Sequence, residues 1–539
     1  MKLDPETIDV SIEELEKLVE RAGQQTLADH ERRQLRAAVE TLGQMARMLA
    51  DKDATLRQLR KMLLKPGEKP ATTEKTRTVL ERAGLQPDAG EAAKSAVEKK
   101  KRQGHGRNPA RAYEGARQVK VTHPEMKPGD RCPECLKGKV YRLKVPAVRV
   151  RIVGQAPVQA TVYELEQLRC NLCGEVYEPP APAEMGTEKR DETAASMVAV
   201  LKYGSGVPFY RLAGLQANLG IPLPSSTQWD MVAQAAEPLK PVHEELIRQA
   251  AQGRVLYNDD TAVRILSLQR ETAADRTGLF TTGIVAETQT GHKVTLFFSG
   301  DKHAGENLAD VLAKRAAELP PPIQMCDALS RNVPKLPPGL VVLLANCLAH
   351  CRRHFVEVAP NFPPECQYVL ETLGEVYGND DTARKQGMTP DQRLAHHQAR
   401  SGPLMKQLRE WGERQLGEHL VEPNSGLGEA IRYLLKHWEK LTLFLRQAGA
   451  PLDSNIVERA LKKAILNRKN AMFYKTRNGA RTGDLYMSLI HTCEVCGGNP
   501  FDYLTELQRH AAEVKENTPA WMPWNYRATL DEAAMAKAA

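Results

Sequence analysis

The sequence lacks a hydrophobic run long enough to cross a bilayer. A membrane-spanning helix needs roughly 18–20 consecutive apolar residues, and the longest apolar stretch, around 338–348, is far shorter. The first ten residues are acidic and have no apolar centre, which argues against a secretory signal. No internal repeat is visible. We therefore expect a cytoplasmic protein with no membrane partner.

Cysteine is also sparse, with ten residues in a chain of 539. Without a secretory signal these thiols should stay reduced, so metal binding is favoured over disulfides. The formal net charge of +8 is a modest excess, which suits a partner with a phosphate backbone but is shared by many unrelated proteins. The length exceeds one compact core and predicts roughly three to five folded units.

The N-terminal pattern is helical and polar. Over residues 1–65 we predict helices with a leucine-zipper-like coiled coil, since leucine recurs at every seventh position: Leu35, Leu42, Leu49, Leu56 and Leu63. Such a coiled coil would join copies of the chain into a homo-oligomer, whereas a single amphipathic helix would show the same spacing. We predict that residues 66–118 form a basic linker, with Arg107 as a candidate nucleic-acid contact. A linker that is solvated and does not contact nucleic acid is the alternative.

Two CxxC pairs mark the next segment. Cys132 and Cys135 form the first pair, Cys170 and Cys173 form the second, and short strand patterns lie between them. Each pair supplies two thiolates without strain, and four thiolates complete a tetrahedral Zn²⁺ site with no open position. We predict that residues 119–183 form a small β-rich zinc ribbon holding one structural Zn²⁺. A further pair at 493–496 lies in a helical pattern without partners, and we interpret its spacing as chance.

Residues 184–250 return to a helical pattern. Residues 210–215, a turn at 220–222 and residues 225–229 resemble a helix–turn–helix, with Ser225 or Ser226 expected to cap the second helix. A plain helical hairpin would produce the same pattern. We predict a helical, DNA-binding region here.

Most predicted strands lie in residues 251–475. The patterns predict strands at 254–259, 262–266, 278–287, 292–299, 323–326 and 341–344, with helices at 304–318 and 453–468. Three antiparallel strands followed by helix, strand and strand is the order of the ribonuclease-H-like fold. Residues 346–450 and the C-terminal region 476–539 are largely helical. The predicted fold class is therefore multidomain α/β, with a ribonuclease-H-like core of a mixed sheet and helices.

Three carboxylates stand out in this region. Asp259 and Asp327 each close an apolar strand, and Glu458 lies in the first turn of a predicted helix. If the fold brings them together, they can hold two Mg²⁺ or Mn²⁺ ions about 3.5–4 Å apart, which activate an attacking oxygen and stabilise a leaving one at phosphorus. Local alternatives exist, because Asp is common in turns and Asn455 with Glu458 forms a passable capping box.

A dense group of cations follows Glu458. Its members recur at spacings of three and four residues, so much of this charge shares one helix face. We predict nucleic-acid contacts at Arg459, Lys462, Lys463, Arg468 and Lys469. Beside a carboxylate centre, this surface suits a polyanionic backbone.

Several motifs in the same order resemble the DDE transposases of the insertion sequence 66 family. Besides the leucine-zipper-like start and the double CxxC module, the resemblance depends on these segments: Gly-His-Gly-Arg at 104–107, Tyr-Asn-Asp-Asp-Thr-Ala-Val at 257–263, Asn-Cys-Leu-Ala-His at 346–350, Asn-Ile-Val-Glu-Arg-Ala-Leu at 455–461, Arg-Lys-Asn at 468–470, Ser-Leu-Ile-His-Thr at 488–492 and Asn-Pro-Phe-Asp-Tyr-Leu at 499–504. The resemblance covers nearly the whole chain.

The resemblance implies that Asp259, Asp327 and Glu458 form the catalytic triad on the ribonuclease-H-like core, with a helical insertion at about 358–450. It also implies double-stranded DNA as partner, namely the element's ends and the target, together with small accessory proteins and a nucleoid location. The family usually has Glu after the first Asp, where this chain has Asp260, so either acid could be a ligand.

The helix after residue 346 carries four zinc-capable side chains: Cys347, His350, Cys351 and His354. Two of them, Cys351 and His354, depart from the usual pattern of the family. We interpret Cys347 and His350 as residues that brace the active site. A second zinc site on this helix is the alternative.

We thus predict a transposase that binds the ends of an insertion sequence and catalyses metal-dependent strand cleavage and strand transfer. One alternative is a catalytically inactive, zinc-containing DNA-binding regulator derived from a transposase. A zinc-ribbon nuclease that cuts without joining is another.

Overall fold

The computed structural model describes residues 188–270 and 278–538, together with parts of the stretch between 124 and 186. The predicted coiled coil of residues 1–65 and the linker with Arg107 lie outside the described residues, as do Cys135 and Cys170. Those parts of the interpretation stay predictions.

Two small antiparallel units surround the CxxC pairs. Strands β1 (Leu168–Arg169) and β2 (Val176–Tyr177) pair with each other on either side of residues 170–173. An isolated antiparallel bridge joins Arg131 to Lys139 on either side of residues 132–135. Each CxxC pair therefore lies between two chain segments that approach each other, as the zinc-ribbon prediction requires.

Four helical segments precede the main sheet: α1 (Glu192–Ala199), which continues as a π-helical turn (Val200–Gly204), α2 (Phe209–Asn218), α3 (Ser225–Ala236) and α4 (Lys240–Ala251). Helices α2 and α3 are the predicted helical pair. The expected cap was wrong: α3 begins at Ser225, Pro224 occupies the cap position, and no side chain bonds to the helix start.

The core is a five-stranded mixed sheet within the described residues, built from β3 (Val255–Ala262), β4 (Phe280–Glu287), β5 (Lys293–Gly300), β6 (Ile323–Cys326) and β7 (Leu343–Asn346). The spatial order is β5-β4-β3-β6-β7. Strands β3, β4 and β5 pair antiparallel, whereas β6 and β7 run parallel to β3. This mixed sheet is compatible with the predicted ribonuclease-H-like core.

Two of the predicted strands were misplaced. No separate strand forms at 262–266: β3 extends from Val255 to Ala262 and pairs with β4 along its whole length, and residues Leu266–Arg270 form the short helix α5 instead. The last strand lies two residues later than predicted. Both errors concern boundaries that the pairing of distant strands decides.

Helices cover both faces of the sheet. Helix α6 (Ala304–Leu312) packs on one face of β3 and β4, where Asn307 donates to the hydroxyl of Thr282. Helix α12 (Asn455–Ala471) packs on the other face, where Leu461 reaches Gly283. Adjacent residues of a strand point to opposite faces of the sheet. Thr282 therefore lies on the face covered by α6, and Gly283 lies on the face covered by α12.

The edge strand β5 is protected by α13 (Arg477–Val495). Three polar side chains on successive turns of this helix, namely Asp484, Ser488 and Thr492, accept hydrogen bonds from the backbone N–H groups of residues 299, 297 and 295. An exposed edge would offer these groups to another chain, and the helix satisfies them instead.

The remaining helices form a layer beyond β7 and a C-terminal region: α7 (Leu348–Val358), α8 (Pro363–Lys385), α9 (Pro390–Gly417), α10 (Gly426–Lys436), α11 (Trp438–Leu441), α14 (Pro500–Arg509), α15 (Ala511–Glu516) and α16 (Tyr526–Ala538). Helices α8 to α11 occupy the region predicted as helical between Asp327 and Glu458. In the described part of the chain, none of the helices could span a membrane.

Candidate active site

Two carboxylates lie at the same edge of the sheet. Asp259 lies in β3, three residues before that strand ends, and Asp327 directly follows β6. The parallel pairing of these strands ends with Tyr257 opposite Met325, so both acids lie two residues beyond the last pair. Neighbouring strands are about 4.8 Å apart, which makes Asp259 and Asp327 neighbours.

Glu458 reaches this edge from the helix above the sheet. It lies in the first turn of α12, which begins at Asn455 with Ser454 in the cap position. Asn455 is thus inside the helix and does not occupy the position that a capping box would give it. Gly283, the partner of Asp259 on β4, allows the close approach, because its missing side chain leaves room for Leu461.

His350 lies between two of the acids. Its Nε2 is 3.5 Å from Glu458 Oε1 and 4.0 Å from Asp327 Oδ2. It projects from α7, whose start is fixed by Cys347: this fully buried thiol accepts a hydrogen bond from Ser454 N–H at 3.3 Å. Cys347 and His350 therefore connect the chain after β7 to the start of the helix that carries Glu458.

The closeness of the three acids affects the protonation of Asp259. Burial, followed by the negative charges of Asp260, Asp327 and Glu458, raises the pKa of Asp259 to about 7, although a hydrogen bond from Asp260 N–H acts in the opposite direction. A carboxyl group surrounded by other carboxylates favours its neutral form unless a cation offsets the charge. The site thus concentrates negative charge at one point of the sheet edge.

Asp260 faces the opposite side of β3. Its carboxylate contacts His303 Nδ1 at 3.1 Å, Arg331 Nη2 at 3.4 Å and the backbone N–H of Ala304 at 3.4 Å, at the start of α6. The alternation of side chains along a strand separates it from Asp259. Of the two acids, Asp259 is the one that faces Asp327 and Glu458.

Aromatic side chains of the helical layer beyond β7 pack beside Asp327. Tyr433 on α10 donates its hydroxyl hydrogen to Asp327 Oδ1 at 3.2 Å. Its ring packs between the imidazoles of His354 and His437, with centroids 4.4 and 4.7 Å away. Tyr433 lies 106 residues after Asp327 in a helical stretch, and nothing local in the sequence indicated it. Gly283 in β4 was not singled out from the sequence either, although a glycine inside a strand often marks a close approach of another element.

The donor chemistry of the site fits a hard divalent cation. Carboxylate oxygens are the ligands that Mg²⁺ and Mn²⁺ prefer, and the neighbouring carboxylates that add to the effect of burial on the pKa of Asp259 carry negative charge that such an ion would offset. Within the described residues, no three His, Cys, Asp or Glu side chains converge tightly enough to hold a metal as they stand.

The side chains of α7 that could have formed a second zinc site point to different surroundings. Cys347 and Cys351 are fully buried, His350 faces the carboxylates, and His354 packs on Tyr433. These side chains do not form a metal-binding group among the residues that the structure describes. Two cysteines of the predicted ribbon, Cys132 and Cys173, are free thiols.

The cations of α12 divide into two sets. Arg459, Lys462 and Lys469 are exposed and lie along one face of the helix. Lys463 instead bonds to Glu494 at 2.7 Å and to the carbonyl of Gly204 at 3.1 Å. Arg468 also turns inward, and its guanidinium donates to Thr261 Oγ1 and the Ala262 carbonyl. The exposed set is thus the part available to a partner.

Comparisons with known proteins agree with this architecture. The family model described as "Transposase IS66 family" matches residues 190–482, more than half of the chain. Uncharacterized protein y4jD of Sinorhizobium fredii is 27% identical over 416 residues, which cover 75% of this chain and 80% of that protein. Uncharacterized protein y4hP of the same organism is 26% identical over 387 residues, 67% of each chain. The matched region contains Asp259, Asp327 and Glu458, and by this match the chain belongs to the transposase IS66 family.

Proposed function

We propose that this protein is a DNA transposase that cleaves DNA at the ends of an insertion sequence and joins the new ends to target DNA. The observation that carries this proposal is the grouping of Asp259, Asp327 and Glu458 at one edge of the sheet, around His350. Family membership supports a transposase-type activity.

In this proposal the three acids would hold two Mg²⁺ or Mn²⁺ ions, and such ions would supply activation of the attacking oxygen and stabilisation of the leaving one. His350 and Tyr433 keep Glu458 and Asp327 in place. Water adds to a phosphorus at the element end and the bond to the 3′ oxygen breaks, which leaves a 3′-hydroxyl. That hydroxyl then attacks a phosphodiester of the target, so that one P–O bond forms as another breaks and no covalent protein intermediate is needed.

The test is a strand-cleavage and strand-transfer assay with labelled element ends, a target plasmid and Mg²⁺ or Mn²⁺. Asp259→Asn, Asp327→Asn and Glu458→Gln should each abolish both products, because each removes one carboxylate charge at nearly constant shape. Glu410→Gln, on an exposed side chain of the helical layer, is the matched control and should retain activity. Binding of Mn²⁺, followed by electron paramagnetic resonance, should weaken in the three site variants alone.

The assay also separates the alternatives. DNA binding with no cleavage under any metal would support an inactive regulator. Cleavage without labelled ends in the plasmid would support a nuclease. Either result would overturn the transposase proposal.

We also propose that Cys132, Cys135, Cys170 and Cys173 bind one structural Zn²⁺. The paired segments around each CxxC support this, because a ribbon needs both pairs at hairpin turns. Metal analysis should find one zinc per chain, and Cys132→Ser should lose it while a Cys496→Ser control keeps it. Retention of zinc in Cys132→Ser would reject the assignment.

The partners that follow are double-stranded DNA, further copies of this chain through the N-terminal coiled coil, and small accessory proteins of the same element. Arg107 and the exposed cations of α12 are the proposed DNA contacts. Sedimentation of the full chain, compared with a chain that carries Leu49→Pro in the heptad pattern, tests the oligomer: the variant should dissociate.

A further inference from the structure

Two large apolar side chains are exposed where α12 ends. Met472 is 61% exposed and Phe473 is 44% exposed. We call these two residues the apolar tip. Exposed apolar side chains next to one another on a surface indicate a binding partner more often than isolated ones do.

The backbone of the apolar tip is held firmly. Met472 has a φ of 69°, a left-handed conformation that is uncommon for a residue other than glycine. Its N–H donates to the carbonyl of Arg468 at 2.8 Å. Tyr474, the residue that follows the apolar tip, pairs with Ile265 in a parallel bridge. Its hydroxyl accepts a hydrogen bond from Asn467. Strained backbone that its surroundings hold in place is often found at functional sites.

Cations lie on both sides of the apolar tip. Lys469 precedes it on the exposed face of α12, and Lys475 and Arg477 follow it with exposed side chains. A second copy of this chain that met the same patch symmetrically would bring these like charges together. A polyanion with apolar faces between its charges matches the pattern better. DNA has that chemistry, since each phosphate of its backbone is linked through a deoxyribose to a base with an apolar face.

The apolar tip is also tied to the strand of the candidate site. Arg468 bonds to the carbonyl of Ala262, which lies three residues beyond Asp259 on β3, or about 10 Å along the strand. The exposed cations at 459, 462 and 469 lead from Glu458 towards the tip along about 20 Å of helix. A DNA backbone that follows this face would place its bases next to Met472 and Phe473.

We propose that Met472 and Phe473 contact nucleobases of DNA bound along α12, with Phe473 stacking on a base that has left the duplex stack. Apolar wedges that unstack a base step are a general means of distorting DNA. This inference depends on the proposed function only in taking DNA as the ligand.

The first test measures the affinity of the full chain for a fluorescein-labelled duplex of arbitrary sequence, at several salt concentrations. Phe473→Ala should weaken binding by roughly 5- to 150-fold, the loss expected for one stacked base, and leave the salt slope unchanged. Lys469→Ala should instead lower the magnitude of the slope by about 0.9, the value for one phosphate contact. Phe473→Trp should retain affinity. Leu420→Ala, at an exposed apolar residue elsewhere, is the control and should bind normally.

The second test places 2-aminopurine in the duplex and follows its fluorescence, which rises when the base unstacks. The unmodified protein and Leu420→Ala should raise the fluorescence, and Phe473→Ala should not. A duplex with a preformed mismatch should restore part of the affinity of Phe473→Ala. Normal affinity and a normal fluorescence rise in Phe473→Ala would overturn the inference, as would a change in its thermal unfolding large enough to explain the loss.

The two proposals fail in different ways. If the unmodified chain binds and unstacks DNA but never cuts it, the transposase proposal fails and the apolar tip stands. If it cleaves and joins DNA while Phe473→Ala behaves normally, only the inference about the apolar tip fails.

Discussion

Gly283 controls the distance between the sheet and the helix that carries Glu458. A Cβ atom at this position would lie 3.0 Å from Cγ and Cδ2 of Leu461 and 3.4 Å from Val457 Cγ2. Carbon atoms pack best at about 3.5–4.0 Å, so in Gly283→Ala the Leu461 side chain, or the helix that carries it, must give by a few tenths of an ångström. Val457 immediately precedes Glu458, and Gly283 is paired with Asp259, so this movement separates the two acids.

The cost of this movement has two parts. Overpacking of a close contact reduces stability by about 1–3 kcal/mol, which lowers the midpoint of thermal unfolding. A misplacement of about 1 Å can reduce a catalytic rate about 100-fold. Because the shift is only a few tenths of an ångström, we expect Gly283→Ala to reduce strand cleavage by up to about 10-fold with only a modest loss of stability.

Thermal unfolding and the cleavage assay together provide the measurement, with Gly300→Ala as the matched control. Gly300 is also a strand residue, but a Cβ there would meet nothing within 4 Å, so both quantities should stay near those of the unmodified protein. In a Leu461→Ala background, the additional cost of Gly283→Ala should shrink, because the clashing side chain is gone. Equal costs in both backgrounds, or full activity in Gly283→Ala, would refute the reasoning.

Three further outcomes are expected. Tyr433→Phe, which removes the hydroxyl that donates to Asp327, should lower cleavage roughly 10-fold and raise the Mg²⁺ concentration needed; an unchanged Mg²⁺ dependence would contradict this. Lys462→Ala should reduce the magnitude of the salt slope of DNA binding by about 0.9, and an unchanged slope would remove it from the interface. Burial raises the pKa of Asp484 to about 7, against the hydrogen bonds from Ser299. The folded chain therefore keeps a proton that the unfolded chain loses near pH 4, and the resulting stability is lost as pH rises to about 7. The free energy of unfolding of Asp484→Asn, relative to that of the unmodified protein, should thus rise between about pH 4 and pH 7 and stay constant above that range. Denaturant unfolding at several pH values measures it, and a difference that does not change with pH would contradict the assignment.

Most of the strands and the acids beside them were predictable because both follow from local patterns. A short apolar run followed by a carboxylate pointed to Asp259 and Asp327, and the first turn of a predicted helix pointed to Glu458. The order of strands followed from the same patterns. The boundaries were less certain, because pairing with β4 extends β3 through polar residues that no local rule assigns to a strand.

By itself, then, the sequence indicated most of the strands, the acids at or beside them and where cationic charge is dense. Only the tertiary structure decided that Asp259 and not Asp260 faces the other acids, that Tyr433 supports Asp327, and that Lys463 and Arg468 turn inward. The physical reason is that these contacts join residues far apart in the chain. Which face of a strand or helix is covered depends on the element that packs against it. The spacing of residues along the sequence does not identify that element.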